Sequence, residues 1–160
     1  MGLKIPAPGP SLWRICYSPV SIAQRLVGVW RLVTFEDRPP GRPVRHPFGR
    51  DAIGILIYTS NGLMSGQLMR PGRATFASTT ITRGTPAELA EAATGYVAYA
   101  GMYSVDDERA IVTHHVTMSL FPNLVGTDQH RGVTLEGDIL ELRAGGMLLR
   151  WQRVAGVVDG

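Results

Sequence analysis

The sequence predicts an all-β fold, an eight-stranded antiparallel up-and-down barrel with one short α-helix near residues 85–97. Three observations carry this. Of 160 residues, 44% are hydrophobic and 18% charged, which suits neither a disordered chain nor a coiled coil. The 19 Gly and 11 Pro imply many turns. From Val27 onward, short runs of β-branched, aromatic and aliphatic residues alternate with turn signals, the pattern of a sandwich or barrel.

In chain order, residues 1–20 read as an N-terminal extension broken by Pro6, Pro8 and Pro10, and residues 21–156 as one barrel domain. Ser21 can cap a helical turn that feeds the first strand. The expected strands are Val27 to Phe35, Ala52 to Tyr58, Leu63 to Arg70, Tyr99 to Val105, Ala110 to Leu120, Gln129 to Leu135, Ile139 to Arg143 and Met147 to Val154. Ser60-Asn61-Gly62, Asp106 to Arg109, Glu136-Gly137-Asp138 and Gly145-Gly146 suit hairpins, because Asn, Asp and Gly tolerate positive φ. Short hairpins make neighbouring strands antiparallel, and closing the meander removes both exposed edges. Eight strands enclose either packed side chains or one small ligand. The helix is announced by Thr85-Pro86-Ala87-Glu88, in which Thr85 caps, Pro86 takes the first helical position and Glu88 closes a capping box. Leu89, Ala90, Ala93 and Val97 then share a face, placing the helix against the barrel or over its mouth.

The net charge of +3 comes from 16 basic residues spread among 13 acids. The densest basic stretch, Arg38 to Arg50, holds four prolines and a single aromatic, Phe48, so a nucleic-acid partner is not expected. That stretch is long for a hairpin connection, and long loops often serve as lids. Cys16 is the only cysteine, which rules out an intrachain disulfide and a four-cysteine zinc site. With neither a signal-peptide core nor a transmembrane length of apolar residues, a cytoplasmic location and no membrane partner are expected. There is no phosphate-cradling loop, no Gly-x-Ser-x-Gly elbow, no His-Glu-x-x-His and no dinucleotide fingerprint, so neither a metal nor a cofactor is expected.

Several blocks carry a family likeness. Leu26-Val27-Gly28-Val29-Trp30-Arg31-Leu32-Val33 resembles the opening Gly-x-Trp strand of lipocalins. Gly54 to Tyr58, Gly62 to Ser65, Gln67 to Pro71, Gly95 to Tyr103, Val112 to Val116, Ser119 to Gln129 and Leu149-Arg150-Trp151 resemble the bacterial and fungal lipocalin-like domain family in particular. The resemblance spans residues 24–154 and implies a lipocalin-like barrel. It also implies that Trp30 packs at the closed end under an arginine of the last strand, Arg150 or Arg153. Members occur beside polyketide and other specialised-metabolite genes, which implies a role on such a compound.

Alternation along the strands then nominates site residues. Val112, His114, Val116 and Met118 share one face and His115 the other, so His114 is expected in the interior, as a general acid or base or as a hydrogen-bonded core histidine. Tyr58, Tyr96, Tyr99 and Tyr103 bring phenols to a ligand or simply fill the barrel. The strand from Leu63 alternates Met64 with Ser65, Gln67 and Met69, so neither face is clearly dry. Arg131 shares a face with Val133 and Leu135, pointing either toward a ligand carboxylate or carbonyl or to the surface. His114, Tyr99 and Gln67 are the catalytic candidates. The ligand-binding candidates are Tyr58, Met64, Met69, Tyr96, Tyr103, Met118, Phe121, Arg131 and Trp151. Two functions fit these residues. One is a cofactor-independent cyclase or isomerase that folds an apolar polyketide- or polyene-type metabolite, a cycloaddition included, by shape and a few hydrogen bonds. The other is a non-catalytic carrier of a small hydrophobic ligand; the genomic setting of the family favours the enzyme. The expected partner is a small apolar molecule, with a homodimer left open.

Overall fold

The computed structural model describes residues 20–80 and 82–155. Eight strands follow one another around a closed antiparallel barrel: β1 (Gly28–Asp37), β2 (Ile53–Tyr58), β3 (Leu63–Met69), β4 (Tyr96–Asp106), β5 (Ile111–Ser119), β6 (Asp128–Glu136), β7 (Ile139–Ala144) and β8 (Met147–Arg153). Closure comes from the pairing of β1 with β8, Trp30 opposite Arg153 and Leu32 opposite Trp151. The tight turns use glycine where φ must be positive, at Gly62, Gly137 and Gly145. The segment expected to extend the N-terminus falls largely on residues 1–19, outside the described residues.

One end of the barrel is shut. Helix α1 (Ile22–Leu26), capped by Ser21, lowers Leu26 onto it, and the Trp30 indole N–H donates to the Leu26 carbonyl at 2.8 Å. The arginine over Trp30 is Arg153, its guanidinium 4.1 Å from the ring centroid. Arg150 points outward to Glu141 instead. Gly28 lies beneath this arginine at φ +137°, and a Cβ there would come within 2.7 Å of Arg153 Nη1. The opening glycine is therefore called for by its backbone conformation, and its missing side chain leaves room for the arginine.

The opposite end carries the long connections, 38–52 and 70–95. Phe48 of the first is buried edge-on against Phe35, 5.7 Å between centroids, and the Asp37–Arg45 ion pair ties the loop to β1. Helix α2 (Pro86–Thr94) has the expected Thr85–Glu88 capping box, but it ends before Gly95, and β4 starts three residues earlier than the alternation suggested. None of its residues is buried. No described helix is long and apolar enough to cross a membrane.

Two bulges set which side chains enter the barrel. In β5, Val116 pairs with Gly101 but Met118 with Ala100, so Thr117 is supernumerary. The β5 backbone presses on Gly101 so closely that a Cβ would sit 1.9 Å from the His115 carbonyl oxygen. In β1, Val33 is the extra residue between Leu32 and Thr34. Past each bulge the inward parity reverses.

Candidate functional site

The interior has two unlike sides. Strands β1, β2, β7 and β8 contribute Trp30, Leu32, Leu56, Leu140, Leu142 and Trp151, all buried. Strands β4, β5 and β6 contribute a polar column, with Gln129 and Arg131 on β6, Tyr99 on β4 and His114 on β5, meeting Tyr58 of β2. His114 is fully buried. Its Nε2 lies 2.6 Å from the Tyr58 hydroxyl and its Nδ1 2.9 Å from that of Tyr99. Tyr103 packs edge-on against Tyr58 and donates to the Thr59 carbonyl at 2.9 Å.

Burial and the nearby positive charge of Arg131 hold the His114 pKa down to about 3, so the ring is neutral near pH 7. Burial pushes both phenols up, Tyr58 well above its usual value, while Arg131 pulls against that shift. A neutral imidazole donates from one nitrogen and accepts at the other, so one of the two phenols donates to the ring and the other accepts from it. The result is a chain of neutral groups within the field of the Arg131 guanidinium. The Trp151 indole N–H is buried with no acceptor among the described residues.

The nominated residues divide. His114, Tyr58, Tyr99, Tyr103, Met64, Trp151 and Arg131 lie on the inward side, Arg131 opposite the fully buried Val112. Gln67, Met69 and Tyr96 do not: on β3 the buried set is Met64, Gly66 and Leu68, so Gln67 and Met69 face outward, and Tyr96 pairs with Met69. There the Tyr96 hydroxyl donates to Gln67, and Arg73 stacks on the Tyr96 ring. Met118, 65% exposed, is turned out by the Thr117 bulge, and Phe121, 57% exposed, precedes a 3-10 turn at Pro122–Leu124. Gln67 and Met118 instead line, with Ser65, Ala98 and one side of Tyr99, an open groove of about 330 Å³.

Sequence reasoning missed two features. Gln129 links to Arg131 at 3.3 Å and would have followed from inward parity on β6. On the outer face, the Ser104 hydroxyl, the His115 ring and the Asp128 carboxylate form a relay, with spacings of 2.9 and 2.7 Å. The order matches a hydrolytic triad, but His115 and Asp128 are 41% and 56% exposed, and charge stabilisation in open water is weak.

A family model described as a lipocalin-like domain matches residues 27–153. The 4'-hydroxy-3'-methoxypropiophenone carrier protein of Aspergillus oryzae is 44% identical over 85 residues, 49% of this chain and 77% of that protein. Among solved structures, an uncharacterised protein of Bacteroides eggerthii aligns at TM-score 0.46 and 13% identity, over 81% of this chain and 99% of its own. The lipoprotein YedD of Klebsiella pneumoniae aligns at 0.38 and 15%, over 97% and 82%.

Proposed function

This chain belongs to the lipocalin-like domain family, and from that premise we propose that it is a carrier, holding a small aromatic carbonyl compound inside the barrel without transforming it. The observation that carries the reading is the neutral chain Tyr58–His114–Tyr99 set against an apolar wall. Such an interior suits a flat apolar ligand with a hydrogen-bonding end. It does not suit proton transfer: a histidine held at a pKa of about 3 is a weak base, far from the neutral value at which a general base works best. The carrier name of the Aspergillus oryzae relative supports the same side. The cyclase or isomerase favoured by the sequence finds no such support, and of its catalytic candidates Gln67 faces away from the interior.

Titration of the full chain with 4'-hydroxy-3'-methoxypropiophenone, followed by tryptophan fluorescence, tests this, because Trp30 and Trp151 both line the interior. Saturable binding that weakens at least tenfold in Tyr58→Phe and is untouched by Gln67→Ala supports the interior carrier, because Tyr58 is buried inside the barrel. Sensitivity to Gln67→Ala and not to Tyr58→Phe would move the ligand to the groove that Gln67 lines. Recovery of a transformed compound from the complex would restore the enzyme.

A further inference from the structure

Most of the described arginines that bond a side chain face a carboxylate. Arg143 and Arg150 share Glu141, and Arg153 faces Asp138. Arg131 faces none among the described residues. Its guanidinium donates to the Gln129 side chain at 3.3 Å and to the His130 carbonyl at 2.9 Å, both neutral acceptors. The titratable groups that face it are Tyr99 from β4, His114 from β5 and Tyr58 from β2; on β7 the nearby Leu142 is apolar, and the Glu141 carboxylate is taken by Arg143 and Arg150. Among the described residues the inner column therefore carries one positive charge and no counter-charge. A partly buried cation with neutral partners is poorly compensated, and its natural complement is an anion that arrives with the ligand.

We infer that the barrel binds its ligand as an oxyanion, with Arg131 holding the ionised oxygen of an acidic hydroxyl conjugated to a carbonyl, an acyl phenol or an enol. The inference rests on the carrier reading and names the class and charge state of what is carried. The chemistry is selective. A phenol whose ring bears a para carbonyl spreads its anionic charge onto that carbonyl and ionises below the value of about 10 usual for tyrosine. It can therefore lose its proton near neutrality, while the protein's own phenols, pushed up by burial, stay protonated and donate. The buried Trp151 N–H, without an acceptor among the described residues, is a further donor on the inward side.

The probe is again 4'-hydroxy-3'-methoxypropiophenone, whose absorption moves to longer wavelength when the phenol ionises. A pH titration of the bound probe is expected to place its ionisation at least one unit below that of the free probe, equivalent to anion binding at least tenfold tighter than neutral binding. Arg131→Met is expected to abolish the shift, and Arg131→Lys, which keeps the charge, to retain most of it. The O-methylated analogue, which cannot ionise, should bind the native chain at least tenfold more weakly than the parent at pH 8, and the Arg131→Met chain equally well. A probe that binds with its ionisation unmoved, or moved equally in Arg131→Met, overturns the inference while leaving the carrier standing. A probe that does not bind at all overturns the carrier reading and the inference with it.

Discussion

The guanidinium of Arg153, contributed by the last strand, covers the indole of Trp30 on the first, and the same group donates to the Val27 carbonyl at 2.8 Å. Three interactions thus close the barrel at one point: the strand pairing, the cation over the ring and the bond to the backbone. Removing the cation by Arg153→Met is expected to cost about 1–3 kcal/mol, from the lost cation–π contact and an orphaned carbonyl. Urea unfolding checks this, and an unchanged midpoint would show that the ladder alone closes the barrel.

Gly101 has no room for a side chain. Gly101→Ala is expected to destabilise by about 2–3 kcal/mol, because β5 has to move off the bulge. Gly132→Ala, where the nearest atoms are 3.9 Å from the added Cβ, is the control and should be neutral or slightly stabilising. Equal midpoints for the two variants would mean that the bulge yields without penalty.

Acid should weaken the fold through His114. Its folded pKa of about 3 lies below its ordinary 6.5, so between those values the unfolded chain takes up a proton that the folded chain refuses. The contribution is complete above pH 6.5 and is lost as pH falls toward 3, amounting to several kcal/mol over the window. His114→Gln should flatten the dependence of unfolding midpoint on pH across this range. A slope unchanged in that variant would assign the acid sensitivity to the carboxylates.

Tyr58→Phe leaves His114 Nε2 buried without its partner at 2.6 Å and should cost about 1–3 kcal/mol. Tyr58→Phe combined with His114→Phe removes both polar groups, so the double variant should be less destabilised than the two single costs added together. Strict additivity would indicate that the hydroxyl and the ring do not interact.

Much of this was legible in the residues. Turn chemistry at Asn61-Gly62 and Gly145-Gly146 fixed the hairpins, and simple alternation placed His114 inside and His115 outside, as the structure has them. The same alternation carried four residues further put Met118 inside as well, and there it failed. The Thr117 bulge depends on how β5 lies across Gly101 in β4, a cross-strand fact that no run of β5 alone encodes. Gln67 and Met69 failed for a related reason: both faces of β3 carry mixed polar and apolar residues, so the pattern did not say which was dry.

Strand number, order and closure were determined by the sequence, because hairpin signals and period-two patterning are local and a meander of eight has one economical way to hide its edges; the Trp30 floor followed from the family resemblance of the opening strand. Tertiary structure alone decided what the interior offers. Tyr58, Tyr99, His114 and Arg131 come from four strands and lie up to 73 residues apart in sequence, and only the register of the closed ladder brings two phenols to one imidazole and leaves a guanidinium beside them without a carboxylate. Side-chain chemistry named the groups; the shear of the barrel chose their neighbours, and the neighbours set their charge.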